Sequence, residues 1–292
     1  MFDDRFGCPD EADIRRCTNC GHRFIDPLRP DGELKVLYET YYGRTAPTHP
    51  LTHSRIRAML LREALPDKHF LGRAKGRSLL DIGCGSGEFL AQANTLGFQA
   101  TGIDVDSHAV EAARSQGFSA HRGTADSDAL RDKSFDVITL NQVIEHVEDP
   151  LATLVSLRER LESAGILFIA TPNGDSASLR RTGRNWINWH VPYHQHIFSR
   201  DSLRLIAAAA GLTPLRMSTR TPVIWTLLQQ QHTYEPMTLG VERWPWRGPT
   251  TTPRPRGSDT VDRVASVARS CVRLVDDLRG SGDCIMATFR RA

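Results

Sequence analysis

The residues best suited to chemistry lie in three short stretches, and the first is a glycine turn, Asp81-Ile82-Gly83-Cys84-Gly85-Ser86-Gly87. Glycine at every second position allows positive φ and lets the backbone lie against a ligand with no Cβ between them. A helix starting at Glu88 then presents unpaired N–H groups. The spacing is GxGxG, whereas the dinucleotide fingerprint GxGxxG needs glycine at 88, where Glu88 stands. A carboxylate at the helix start would also repel a pyrophosphate. In Thr101-Gly102-Ile103-Asp104-Val105-Asp106, Asp104 ends the next apolar run, where it can accept hydrogen bonds from both hydroxyls of a ribose. The plainer role for it is an acid at the following helix N-terminus. Together the two features describe a cofactor that carries a ribose and brings no phosphate to the turn.

The second stretch is Trp186-Ile187-Asn188-Trp189-His190-Val191-Pro192-Tyr193-His194-Gln195-His196-Ile197-Phe198. Three histidines and two tryptophans suit an acceptor pocket walled by Trp186, Trp189 and His194. Aromatic walls exclude water, and a neutral imidazole can take the acceptor's proton. His194 and His196 are the candidates, and the alternative is that the histidines hydrogen-bond the loop in place. The third stretch, Cys17-Thr18-Asn19-Cys20-Gly21, is a zinc knuckle, and a full ribbon needs a second such pair. Only Cys8 lies upstream. Cys8, Cys17 and Cys20, with His22 as a further donor, make either a degenerate zinc site or a metal-free remnant. Cys84, between loop glycines, reads as a small packing residue, because no neighbour supplies a base.

Short apolar runs alternating with helical stretches from Arg77 onward predict a parallel sheet of βαβ units that would carry the first two stretches at strand ends. Strands are expected at 78–82, 99–104, 119–122, 135–140 and 165–170, with helices at 88–96, 107–116 and 151–161. A helix at 200–210, a strand at 213–219 and a last strand at 283–290 follow. About sixty residues separate the last two strands, which is long for a compact domain. That gap holds Trp225 to Gln231, then Trp244, Pro245 and Trp246, then a segment from 249 to 257 rich in Pro, Thr and Arg that is expected to be disordered. Val261, Val264, Ala265, Ala268, Cys271, Val272, Val275 and Leu278 recur at helical spacing after it. The amphipathic helix they predict packs on its own domain or a twin subunit. Contact with a membrane surface is the lesser alternative, because the polar face mixes both signs. At the other end, residues 1–30 read as a small irregular module. Two helical patterns, one with Leu34, Leu37, Tyr38 and Tyr41 and one with Ile56, Met59, Leu60 and Ala64, read as a helical lead-in or lid.

With 292 residues and 40% hydrophobic content, the chain can bury one large core or a core with an appendage. A net charge of +3 from 37 basic and 34 acidic residues gives no field that implies nucleic acid. Six scattered cysteines and the absence of an apolar leader lead to the expectation of a reducing, cytoplasmic setting. No apolar run approaches the roughly 18 residues of a spanning helix.

The stretch from Arg77 to Thr171 resembles the core of the class I S-adenosylmethionine-dependent methyltransferases, in the subgroup near the coenzyme-Q-pathway and sugar methyltransferases. The matching residues are DIGCGSGEF at 81–89, TGIDVD at 101–106, SFDVITLNQVIEHVEDP at 134–150 and GILFIATPN at 165–173. The resemblance implies an α/β, Rossmann-like, doubly wound sheet of seven mostly parallel strands, the last antiparallel, with S-adenosylmethionine as methyl donor. It implies that Asp81, Gly83, Cys84, Gly85 and Gly87 hold the amino-acid end of the donor and Asp104 its ribose. Val105 would cover one face of the adenine, Thr124 and Ala125 its edge, and Asn141, unless it is only a strand-end turn, would line the floor near the sulfonium.

In Gln142-Val143-Ile144-Glu145-His146 the quinone-pathway relatives show Glu at the first place, and some bind a divalent metal through the acidic and His positions. Gln142 departs from that pattern, so Glu145 and His146 are expected to cap or bridge, with His146 kept as a third catalytic candidate. The subgroup's pattern P, x, H before a Phe-Ser pair falls on His194. Relatives with amino-terminal ribbons show CxxCG twice before the segment that here reads Phe24-Ile25-Asp26-Pro27, and this chain shows it once.

The expected organisation is a ribbon remnant at 1–32, a helical lead-in at 33–70, the core at 71–220, an insertion at 221–282 and the last strand at 283–292. The expected activity is methyl transfer to a small-molecule acceptor, foremost a hydroxyl of a sugar, glycan or secondary metabolite. Homodimers and peripheral membrane contact are compatible with the sequence, and no nucleic-acid partner is expected. The competing readings are an NAD-dependent oxidoreductase and a non-catalytic cofactor-binding scaffold.

Overall fold

The apolar runs after Arg77 fold as strands buried on both faces, which is why they are nearly continuous and do not alternate. The computed structural model describes residues 1, 3, 5–42, 68–233, 239–240 and 272–292. Two compact units emerge: Leu65–Pro172, Arg200–Ser218 and Ile285–Ala292 form one, and Met1–Ala64, Asn173–Ser199 and Thr219–Cys284 form the other.

The first of these is built on a seven-stranded sheet. Its strands are β3 (Ser78–Ile82), β4 (Gln99–Asp104), β5 (Ser119–Arg122), β6 (Phe135–Asn141), β7 (Leu161–Pro172), β9 (Leu212–Arg220) and β10 (Cys284–Arg291). The order is β5-β4-β3-β6-β7-β10-β9, with β3 parallel to β4 and β6, β4 parallel to β5, β6 parallel to β7, and the last strands antiparallel. Leu79, Leu80, Ile103, Val137, Ile138, Leu140, Leu167 and Ile169 are wholly buried along these strands. Helices α2 (Glu88–Thr95), α3 (Ser107–Ser115), α4 (Pro150–Glu159) and α6 (Arg200–Ala209) make the crossovers. Asp106 caps α3 by accepting from His108 N at 2.8 Å, and Asp149 caps α4 by accepting from Ala152 N at 2.9 Å. The chain runs outward from β3 through β4 to β5 and then returns to β6 on the other side of β3. That reversal opens a crevice at the carboxyl ends of β3 and β6, the usual ligand position of open α/β sheets. Strand β7 is longer than the 165–170 expected, because Leu161 already pairs with Phe135 ahead of a register shift.

The other unit corrects the reading of residues 1–30 as irregular. Strands β1 (Asp13–Arg16) and β2 (Arg23–Asp26) form an antiparallel hairpin around the knuckle, and β8 (His196–Ile197) adds to β2 as a third strand. Four residues are too few to show a period-two pattern, and the strand that completes the sheet is remote in sequence. Ala12, Ile25 and Val191 form its small core, with Met1, Ile14 and Trp189 against it. Helix α1 (Asp31–Leu37) continues into a wide turn at Tyr38–Tyr42, and α5 (Ala177–Thr182) and α7 (Val223–Thr233) complete the unit. The stretch 223–233 carries Trp225 to Gln231, where no helix is expected from the residue pattern.

Of the expected amphipathic helix, 272–278 is helical, and Val272, Val275 and Leu278, on its apolar face, are exposed. Residues 261–271, the second lead-in pattern, Trp244 to Trp246 and the segment 249–257 lie outside the described residues. No described helix is long and apolar enough to cross a membrane.

Candidate functional site

The crevice between β3 and β6 is lined by backbone. Gly83, Gly85 and Gly87 have φ of +71°, +53° and +91°. At Gly83 a Cβ would stand 2.4 Å from Val143 Cγ2, and at Gly87 2.6 Å from Phe118 Cδ2, so both glycines are needed for close approach as well as for φ. At Gly85 a Cβ would meet nothing within 4 Å. That side of the turn is open. Gly83 N and Cys84 N donate to Ile103 O at 2.8 and 3.1 Å, which ties the turn to β4. Asp104 Oδ2 accepts from Gly85 N at 2.8 Å and its Oδ1 from Asp106 N at 2.9 Å. Each oxygen keeps a second lone pair for hydroxyl donors.

Beside Asp104, Val105 is 57% exposed despite its apolar side chain. Gly123 N donates to Asp104 O at 2.9 Å and brings the turn at Thr124 and Ala125 to the same strand end, Thr124 exposed and Ala125 buried. Asn141 ends β6, and its buried Oδ1 accepts no hydrogen bond among the described residues. Such an atom is costly without a partner. Gln142, which follows, takes φ of +58°, an unfavourable conformation for a side chain with a Cβ and one often held at functional turns.

Asp81 is buried at the end of β3 and accepts a hydrogen bond from Thr139 Oγ1. Burial pushes its carboxyl up to about 7 against that hydrogen bond, and the charge of Asp104 adds to the rise. A cationic group arriving beside it would restore the carboxylate. Cys84 is buried with its thiol pushed up to about 12, by burial first and then by Asp81 and Asp104. Its Sγ would lie 2.5 Å from a Cβ on Gly102, so the sulfur fills the space that this glycine leaves. It is packing and no nucleophile. Glu145 is buried, accepts from Thr171 Oγ1 at 2.9 Å and is pushed by burial up to about 8, so it bridges the turn after β6 to β7 as a neutral acid. His146 is half-buried, in a turn where its N–H donates to Val143 O at 2.9 Å.

The histidine loop is made of side chains packed on side chains. Trp186 is wholly buried, with its Nε1 donating to Asp283 Oδ1 at 3.3 Å, and it meets Trp189 edge to face at 5.5 Å. Trp186 therefore does not wall an open pocket; it is the pillar on which the loop rests. Gln229 holds the loop from α7, accepting from Ile187 N at 2.9 Å and donating to Asn185 O at 2.6 Å. His194 lies 2.8 Å from Asn188 O through Nδ1. A carbonyl only accepts, so Nδ1 carries the hydrogen and Nε2 bears the lone pair of the neutral ring. His190, at φ of +42°, and Tyr193 stack around it, His190 at 4.8 Å from His194 and 4.9 Å from Tyr193. Phe6 and Tyr38 close the cluster against Tyr193 at 6.0 and 5.2 Å. Sequence reasoning missed Phe6, Asp283 and Gln229 as supports of this loop, because each comes from a distant segment with no local pattern.

His196 sits on β8, its Nδ1 3.2 Å from His22 Nε2, with the rings stacked at 5.3 Å. Burial, then the charges of His196 and Arg23, push His22 down to about 4. His22 is therefore neutral near pH 7, and the pair belongs to the three-stranded sheet. In the knuckle, Gly21 N donates to Cys17 O at 3.0 Å and Cys17 N to His22 O at 2.8 Å. The amides of Cys20 and Asn19 hold the Cys17 thiol below its ordinary range. Cys8 is buried apart, its amide donating to Asp3 Oδ2 at 2.9 Å, and burial pushes its thiol up to about 11. Among the described residues the expected zinc donors Cys8, Cys17 and Cys20 do not come together as a ligand group. Tetrahedral zinc needs four donors, and the turn supplies two.

The profile of a family described as "Methyltransferase domain" matches residues 53–216, more than half of the chain. The ubiquinone biosynthesis O-methyltransferase of Cereibacter sphaeroides (strain ATCC 17025) is 32% identical over 166 residues, 52% of this chain and 67% of that protein. The protein of the same name from Caulobacter vibrioides is 32% identical over 200 residues, covering 64% and 73%. Among solved structures, a SAM dependent methyltransferase from Archaeoglobus fulgidus aligns with a TM-score of 0.51 at 18% identity, over 80% of this chain and 94% of the other. At that identity it shows the shared fold alone.

Proposed function

The chain belongs to the methyltransferase-domain family, of the class I S-adenosylmethionine-dependent kind near the coenzyme-Q pathway, and from this premise we propose that it methylates a hydroxyl of a small-molecule acceptor. The observation that carries the hydroxyl is the tautomer of His194, whose Nδ1–H is committed to Asn188 O. Nε2 is then the basic nitrogen, and a hydroxyl nucleophile needs a base whereas a free amine hardly does. The O-methyltransferase names of the relatives support oxygen as the acceptor atom. Sugars, glycans and secondary metabolites remain the acceptor class. The near balance of charge speaks against nucleic acid. The dinucleotide alternative has Glu88 against it, and the intact loop glycines with Asp104 argue against a scaffold that has lost turnover.

The crevice fits the donor on three counts: the orphaned Asn141 Oδ1, the open side of Gly85 and the exposed Val105 next to Asp104. In this reading Asp81 and the glycine turn hold the amino-acid end, Asp104 the ribose, Val105, Thr124 and Ala125 the adenine, and Asn141 the floor. When bound, S-adenosylmethionine supplies a methyl group on a sulfonium that is already an activated leaving group. The protein's part is to orient, exclude water and take a proton. His194 Nε2 takes the acceptor's proton, while Asn188 O steadies the imidazolium through Nδ1–H. His146 and His196 are weaker candidates, His196 because its Nδ1 is engaged with His22.

The test is a panel of hydroxyl and amine acceptors with labelled donor. His194→Ala should lower turnover on the hydroxyl acceptor by roughly 10²- to 10⁴-fold, the usual contribution of a general base, and leave S-adenosylhomocysteine affinity unchanged. Turnover with amines only, or loss of cofactor affinity in the variant, would overturn the assignment.

A further inference from the structure

Cys8, Cys84 and Cys284 are buried, whereas Cys17 and Cys20 are partly exposed. These last two occupy one tight turn, closed by Gly21 N to Cys17 O at 3.0 Å and Cys17 N to His22 O at 2.8 Å. The amides of Cys20 and Asn19, and then the Cys20 side chain, hold the Cys17 thiol below its ordinary range. With Cys8 held elsewhere, no third thiol completes a metal site among the described residues. What remains is a solvent-accessible vicinal dithiol with one sulfur cradled by backbone donors, the surroundings that make a cysteine reactive.

We propose that Cys17 and Cys20 form a reversible dithiol–disulfide site whose co-substrate is a low-molecular-weight disulfide of the glutathione type. The Cys17 thiolate attacks one sulfur of the disulfide RSSR, that S–S bond breaks, and one RS⁻ leaves. The Cys20 thiolate then attacks the Cys17 sulfur, the mixed disulfide breaks, and a second RS⁻ leaves. The two protons given up by the cysteines end on two RSH; the protein loses two electrons and RSSR gains them. Excess RSH drives the steps backward. Cys17 is the attacking sulfur because the amides of Cys20 and Asn19 stabilise its anion, and Cys20 is the resolving one because it shares the same tight turn.

The same turn reaches the histidine loop. Ser199 Oγ donates to Cys20 O at 2.6 Å, a Cβ on Gly21 would stand 3.6 Å from Ser199 Cβ, and His22 meets His196 at 3.2 Å. Any shift of the Cys20 carbonyl on ring closure is therefore felt at the end of β8.

The test treats the full chain with oxidised glutathione, alkylates the remaining thiols and maps them by mass spectrometry, with hydrogen exchange on the same samples. A Cys17–Cys20 disulfide should form and reopen with reduced glutathione, while Cys8 and Cys84 stay reduced. Cys20→Ser should accumulate glutathione on Cys17, and Cys17→Ser should form no disulfide. Exchange should change at 186–199 and stay constant at 78–104. Cys17 and Cys20 remaining reduced while a buried cysteine oxidises would overturn the site. Equimolar zinc shielding both thiols in the isolated protein would do so as well, and unchanged exchange at 186–199 would remove the link to the loop.

Discussion

The turn after β3 and the loop after β7 both leave the carboxyl end of a strand, and they are made by opposite means. In the first, three left-handed glycines and a few amide-to-carboxylate bonds shape a surface with almost no side chains on it. In the second, Trp186 is buried against Trp189, His190 packs on Tyr193 and His194, and the polar atoms are held by Asp283, Gln229 and Asn188 from elsewhere in the chain or loop. A surface of backbone depends on what a Cβ would hit and on φ, which are local. A surface of packed side chains depends on partners brought in by the fold. The first should therefore fail through single added atoms and the second through removed ones.

The largest effect is expected at the pillar of the second region. Trp186→Ala empties a wholly buried indole site and takes one donor from Asp283, and should cost about 3–5 kcal/mol in chemical denaturation. Cofactor affinity measured by calorimetry should survive wherever the variant is folded. Affinity lost together with stability would mean that the two regions are not independent.

Adding a methyl to the first region comes next. Gly83→Ala meets Val143 and adds left-handed strain, for about 2–4 kcal/mol in all. Gly85→Ala, which meets nothing, should pay only the strain of about 1–2 kcal/mol. Equal losses at the two positions would show that close approach is not what Gly83 provides.

Between the two glycine effects lies Asp104→Ala, which should weaken S-adenosylhomocysteine binding by roughly 1.5–3 kcal/mol, the scale of hydrogen bonds to a charged group. An unchanged affinity would remove Asp104 from the ribose.

The smallest effect is on pH dependence. In the free protein Asp81 is pushed up to about 7, chiefly by burial. An ammonium held beside it favours the carboxylate and lowers that value in the complex. Binding then releases a proton below pH 7, so affinity should fall as pH drops through 7, by at most about tenfold per unit. The check is calorimetry across pH in buffers of different ionisation enthalpy. Asp81→Asn should flatten the profile, and a wild-type profile already flat from pH 5 to 8 would refute the role.

The same contrast explains what was readable in the chain. The strands at 78–82, 99–104 and 119–122 fall where apolar runs predict them, and the glycine turn announces itself because glycine adopts its φ values without strain. Asn141 was legible as a strand end, while its orphaned oxygen was not. Hairpin strands of four residues carry too little pattern to be seen, and β8 is two residues long. The choice between a degenerate zinc site and a metal-free remnant was open in the sequence for the same reason, since CxxCG fixes a turn but cannot say whether a distant Cys8 reaches it.

By itself the sequence determined the doubly wound order, the crevice at its switch point and the donor that the crevice suits, because periodicity and glycine spacing act through local sterics. The tertiary structure alone decided that Trp186 is a pillar, that His194 is fixed on Asn188, that His196 belongs with His22, and that Cys17 and Cys20 stand without Cys8. Those outcomes turn on which remote side chains meet, and packing over long sequence separation leaves no periodic trace in the chain.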